Sequence, residues 1–200
     1  MLNAPIKILL ISNSLWDFGE GMFGPLFALF SDRIGGSILD ISWAWAGYLV
    51  VKGVTLIISA KISDKWLAKE NLVVVGYALN TLMTFGYLLV HSSTDLMIIE
   101  AGLGMAAALT LPSWHSLYAR YSKKRNSGFL WGLASGQSDL LAALGMLIGG
   151  LIVAKLSFNA LFITMGLIQL SATLYQAKIL YYGKSPKNNK KVVRSLRVSW

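Results

Sequence analysis

Residues 6–30 read IKILLISNSLWDFGEGMFGPLFALF. The run is apolar and long enough to cross a bilayer, since a helix needs ~20 residues to span a ~30 Å hydrocarbon core. It nevertheless carries Asp17 and Glu20 near its middle. Asn13, Asp17, Glu20 and Gly24 follow i, i+4, i+7, i+11 spacing, so on a helix they form one polar stripe. A charge at the centre of a spanning helix costs from roughly 3 to over 10 kcal/mol in lipid. The stripe must therefore face other helices or a hydrated path.

The rest of the chain has the same character. Of 200 residues, 55% are hydrophobic and 14% charged, against about 25% charged in an ordinary soluble domain. Six apolar stretches, approximately 5–31, 41–62, 71–91, 95–119, 127–154 and 158–182, predict six transmembrane helices of an all-α membrane protein. The connections "DRIGGSILD", "DKWLAKEN", "HSSTD", "YSKKRNSG" and "KLSFN" are short and rich in turn residues. None has room for a soluble domain. This predicts one bundle over residues 1–183 and a basic tail, KSPKNNKKVVRSLRVSW, over 184–200. The first stretch has no basic leader and carries acids at its centre, so it reads as a retained span rather than a secretory signal.

The formal charge is +9, and its distribution tells more than its sum. On the six-span map all but three of the 18 Lys and Arg lie on one side of the bilayer. The exceptions are Arg33 and Lys155 on the other side and Lys52 inside the second span. By the positive-inside rule both termini are cytoplasmic, in a multi-pass protein of the cell membrane. The basic excess thus sets orientation and offers contacts to anionic lipid; it does not point to nucleic acid. With no cysteine there is no disulfide framework and no thiolate chemistry.

Where helices meet is marked by small residues. Gly128, Gly132 and Gly136 recur every four residues, as do Gly145 and Gly149, a spacing that lets backbones approach closely in lipid. Polar groups at similar depth to the stripe are Lys52 in span two and Asp139 in span five; Glu100 in span four lies only a few residues from the outer boundary, where water is its alternative partner, and a cavity lined by spans one, two, four and five would gather all three. Lys52, the basic residue deepest in the membrane, is expected to pair with Asp17, Glu20 or Asp139. One reading of these groups is a buried lysine–acid lock that fixes helix register. The other is an exchangeable site for protons or a cationic substrate, because ionisable groups in spanning helices are expensive and usually tied to a pathway. Trp43 and Trp45 read as interfacial anchors, and His115 as a polar residue at a helix end.

Enzymatic readings find little support. "GLASGQS" has Leu133 where an intramembrane serine protease needs glycine, and there is no His-Glu-x-x-His motif and no phosphate-cradling loop. No metal site and no cofactor is expected.

"AKISDKWLAKE", residues 60–70, resembles the cytoplasmic loop motif of the major facilitator superfamily, with Asp64, Lys65 and Lys69 at matching positions and Ala60, Leu67 and Ala68 departing from it. "EAGLGMAAALTLPSWHSLYARYSKKRNSGFLWGLASGQ", residues 100–137, is similar to the family's fourth helix, basic loop and fifth helix, with Ile98 near the place of an arginine common there. "GMLIGG", residues 145–150, resembles the Gly-Pro-x-x-Gly-Gly of antiporter-type members, with Met146 for proline. The resemblance extends to about Gly183 and corresponds to one six-helix half of a twelve-span transporter.

It implies a gradient-driven permease for a small molecule or ion, with protons as one candidate coupling ion, completed as a homodimer or with a partner half around a site near the midplane. It further implies that helices one and four line the cavity, two and five flank it, and three and six are peripheral. Asp64 and Lys65 would belong to a cytoplasmic gate. The candidate substrate or coupling residues are Asn13, Asp17, Glu20, Lys52, Glu100 and Asp139. The competing class is a non-transporting membrane scaffold or accessory subunit that binds a partner through a lateral face.

Overall fold

The computed structural model describes residues 2–63, 68–122 and 127–183, and all regular structure among them is helical. Helix α1 (Ala4–Phe23) is capped by Asn3, whose Oδ1 accepts the Ile6 N–H at 3.0 Å, with proline in the first turn. Its 20 residues reach about 30 Å. The expected continuous span over 5–31 is interrupted. Pro25 has no N–H to give the preceding turn and its ring clashes with that turn's carbonyl, so the chain passes through a 3₁₀ turn (Gly24–Leu26) before α2 (Phe27–Arg33).

The remaining helices are α3 (Ile38–Ser63), α4 (Lys69–Gly86) with a terminal 3₁₀ turn (Tyr87–Leu89), α5 (Ser93–Tyr121), α6 (Ser127–Lys155), α7 (Phe158–Gln176) and α8 (Ile179–Gly183). Five of them, read with their terminal turns, are long and apolar enough to cross a membrane. The sixth crossing is divided between α1 and α2.

Three further helix starts are set by local chemistry. Ser37 and Asp40 cap each other reciprocally at α3, and Ser92 and Asp95 do the same at α5. Ser157 Oγ accepts the Ala160 N–H at the start of α7. Gly35, with φ of 79°, supplies the left-handed residue that turns α2 into α3.

Packing places α5 between α3 and α4, α7 between α4 and α1, and α6 against the far side of α1. Lipid gives helices no hydrophobic reason to associate, so close backbone approach and polar contacts must hold them. The α1–α6 pair uses both. A methyl group added at Gly145 or Gly149 would overlap the Phe18 or Met22 backbone, and one added at Gly21 would lie 2.7 Å from the Ala142 Cα. Gly128, Gly132 and Gly136 have open space beside them. Of the two glycine repeats on α6, only the second is a contact within the described residues.

Elsewhere, Gly104 of α5 meets the Tyr48 carbonyl of α3, and Gly76 of α4 meets Thr110 and Ala106 of α5. Two apolar clusters fill the interior. One is built around Ile6, Leu9, Tyr77, Trp114 and Tyr118, the other around Phe23, Phe30, Tyr87, Phe158 and Phe162. The outer helices α3 and α6 keep most of their apolar side chains uncovered, Leu49, Ile57, Leu140 and Leu151 among them.

Candidate functional site

A cavity of about 340 Å³ opens between α1 and α5, next to the break at Pro25. Its walls come from α1 (Trp16, Asp17, Glu20, Phe23), the turn and α2 (Gly24, Phe27), α3 (Trp45, Tyr48), α4 and its turn (Asn80, Tyr87) and α5 (Glu100, Leu103, Ala107, Leu111). Three carboxylates therefore share one space. Among the described residues none of the lining side chains is Lys, Arg or His.

Each carboxylate is held by neutral donors. Asp17 Oδ2 accepts from Ser138 Oγ at 2.5 Å and from Asn13 Nδ2 at 2.6 Å, and Asn13 also donates to Ser138 at 2.9 Å. One turn further on, the helix rotates Glu20 away from α6, where Asn80 Nδ2 of α4 and Gln169 Nε2 of α7 donate to its Oε1 at 3.0 and 3.1 Å. Gln169 also donates to the Trp16 carbonyl at 3.2 Å. Glu100 is buried and accepts from the Tyr87 hydroxyl at 2.5 Å. These bonds fix where each acid points.

Polar pairs continue beneath Glu20 between α1, α4 and α7. The Thr81 and Thr173 hydroxyls meet at 2.8 Å, and Ser12 donates to Gln176. The stripe on α1 thus serves two neighbours as well as the cavity.

The structure brings Asp17, Glu20 and Glu100 together and places Asn13 one bond behind Asp17. It does not bring in the other two charges. Lys52 lies with its Nζ 5.3 Å from the centroid of the Tyr48 ring, outside the lining, and makes no ion pair with Asp17, Glu20 or Asp139. The ion pair present among the described residues is Glu70–Arg120, at 2.8 Å between α4 and α5. Asp139 is exposed on α6, where Ser138 rather than its neighbour turns toward α1. Asp64 and Lys65 lie outside the described residues. His115 is exposed near the C-terminal end of α5, edge-on to Trp114.

Trp45, expected as an anchor, is part of the cavity wall, its ring edge-on to Phe27 and Tyr48. Asn80, Gln169, Ser138 and Tyr87 were not singled out by the sequence reading. One signal could have found the amides: a carboxylate in lipid needs donors, and Asn80 and Gln169 are amides in the middle of otherwise apolar spans. Span five adds nothing to the cavity wall, and span three, expected to be peripheral, supplies Asn80 and Tyr87.

A helical membrane bundle whose broken first helix and fourth span enclose a carboxylate-bearing cavity has the architecture of one half of a secondary transporter. The family model of the Major Facilitator Superfamily matches residues 9–199. The chain belongs to that superfamily, a family of multi-pass membrane transporters. It is similar to the multidrug resistance protein MdtG of Salmonella schwarzengrund (strain CVM19633), 23% identical over 82% of this chain and 42% of the relative. The protein of the same name from Dickeya zeae (strain Ech586) is 22% identical over 94% of this chain and 46% of the relative. The chain spans less than half the length of these curated relatives.

Proposed function

We propose that this chain moves a small solute across the cell membrane down or against a gradient, with Asp17, Glu20 and Glu100 as the substrate and coupling groups and Asn13 orienting Asp17. The observation that carries this reading is the convergence of three carboxylates on one cavity. Buried acids that served only to lock helices would be expected to pair with a cation, and Lys52 is turned to Tyr48 instead. Relatives named as multidrug resistance proteins support solute transport as the activity.

In this reading residues 1–183 form the bundle, and 184–200 a basic cytoplasmic tail. Both termini are cytoplasmic, as the basic loops favour. Asp64 and Lys65 belong to a cytoplasmic gate, on the strength of the loop motif. The chain works as a homodimer or with a partner half, which would cover the apolar faces of α3 and α6 and close the open side of the cavity. Gradient energy drives the movement, with protons as the coupling ion, and no bond of the solute is made or broken.

Reconstitution into vesicles tests the proposal. Asp17→Asn keeps the size and the hydrogen-bonding geometry at Ser138 and Asn13 and removes the exchangeable charge. It is expected to abolish coupled flux while the helical content and elution of the protein stay unchanged. Unchanged flux would reject Asp17 as a coupling residue, and a wild-type chain that moves no solute in either assembly would favour the scaffold reading.

A further inference from the structure

We propose that two copies of this chain dock face to face in the membrane, with Asp139 on α6 of each copy paired to Lys52 on α3 of the other. The inference deepens the homodimer option of the transport reading and rests on it for its purpose, while the surface itself supplies the chemistry. The circumference of α6 divides in three. Ser138, Gly145 and Gly149 meet α1. Leu140, Leu144, Leu147 and Leu151 form an uncovered row suited to lipid. The third sector carries Gly128, Gly132, Ser135, Gly136, Asp139 and Ala143, all exposed and within about 100° of one another at ~100° per residue. Its glycines have open space beside them. Small side chains gain little from lipid, but they let a second helix come close. Asp139 is the independent sign that something else covers this sector. It stands in mid-span without an ion pair among the described residues, and a bare carboxylate against hydrocarbon is costly.

The complementary charge lies on the opposite flank of the same molecule. On α3, Trp45, Leu49 and Lys52 follow i, i+4, i+7 spacing and share one face, and Trp45 belongs to the cavity wall, so that face borders the cavity. The Lys52 ammonium rests 5.3 Å from the Tyr48 ring centroid and has no acid partner among the described residues. Its flexible four-carbon stem can swing off that ring. Asp139 is 12 residues from the Ser127 end of α6 and Lys52 is 11 from the Ser63 end of α3, about 18 and 17 Å along the two helices at ~1.5 Å per residue. On the reading that both of these ends are cytoplasmic, acid and base lie at the same depth. Helix α3 packs on α5 and α6 on α1, so the two helices stand on opposite sides of the cavity between α1 and α5. Copies inserted with the same orientation are related by a two-fold axis along the membrane normal, which sets α3 of each against α6 of the other. Such an interface must be complementary to itself. This face meets that demand, because one docking satisfies the acid and the base of both copies.

The test is the oligomeric state of the full chain in lipid vesicles, read by single-molecule photobleaching of a C-terminal fluorophore over a range of protein densities. The expected result is a dimer for the wild type. Asp139→Lys and Lys52→Asp each set like charges against one another and should weaken dimerisation at least tenfold. The two substitutions combined in one chain should restore it, which damage to the fold would not do. Gly132→Leu places a side chain where its own chain leaves open space, so it should keep the helical content and still weaken dimerisation at least tenfold. It decides the matter if a charge variant fails to fold. A wild type that stays monomeric at every density, or dimers of equal strength in every folded variant, would overturn the proposal. The first of these outcomes would leave a different six-helix half as the occupant of the face. Assembly is read without solute or gradient, so the two readings fail separately. Dimers that respond as expected but move nothing refute transport and leave the interface standing, and flux through chains that remain monomeric does the reverse.

Discussion

Gly149→Ala against Gly150→Ala is a controlled test of how α1 and α6 are held together. The two glycines are adjacent on α6, so any helix-propensity gain from alanine is shared. A β-carbon at Gly149 would fall 2.7 Å from the Met22 carbonyl carbon and 2.8 Å from its Cα, closer still to the carbonyl oxygen, whereas ordinary contacts begin near 3.4 Å. Nothing lies within 4 Å of a β-carbon at Gly150. The obstacle at Gly149 is backbone and has no rotamer to change, so the helices must part by roughly 1 Å, a disturbance in the upper part of the ~1–3 kcal/mol range for overpacking. For a chain of this size that corresponds to a loss of about 5–10 °C in Tm. Thermal unfolding of the purified protein in detergent, followed by tryptophan fluorescence, should show this loss for Gly149→Ala and little or no loss for Gly150→Ala. Equal stability of the two variants would refute the close approach at Met22 and, with it, the placement of Asp17 against Ser138.

Removing Arg120 strands the buried Glu70 carboxylate, so Arg120→Ala should cost about 1–2 kcal/mol, the lower end of such losses because Arg120 is 44% exposed. Glu70→Gln keeps an acceptor for the guanidinium and should cost less, as chemical denaturation of both variants would reveal. Ser92→Ala removes the cap that accepts the Asp95 N–H at 3.2 Å and should cost about 1 kcal/mol, with faster hydrogen exchange confined to the first turn of α5.

How far the sequence reaches can be judged from particular residues. Hydropathy placed the helices because each run is long and uniformly apolar, and the spacing of Asp17 and Glu20 put them near one face because the helical repeat is fixed. Spacing does not say which neighbour a face meets. Glu20, three residues on, lies about 60° short of a full turn from Asp17, enough for one to meet α6 and the other α4 and α7. Lys52 shows a related limit. Its depth was legible, but a long side chain can follow its own helix, and the Tyr48 ring one turn back is near enough to hold it. Asp139 differs from Ser138 by one position, which is the difference between facing α1 and facing away.

The break after Phe23 is present in the text as a proline inside the span, but the length of the apolar run conceals it. The glycine repeats behave likewise. Their period says that something can come close, and only the packing shows that α1 uses Gly145 and Gly149 and leaves Gly128, Gly132 and Gly136 open.

The claim beneath all of this is that water reaches the acids of α1 through the opening beside Pro25. The chain has no cysteine, so a single introduced thiol reports one place. Gly24 lines the cavity with open space beside it, and Leu140 is an uncovered apolar residue on α6. In lipid vesicles, Gly24→Cys should react rapidly with a membrane-impermeant maleimide, while Leu140→Cys stays inert. A Gly24 thiol as unreactive as the one at position 140 would mean that the acids face a dry interior, and would contradict the account.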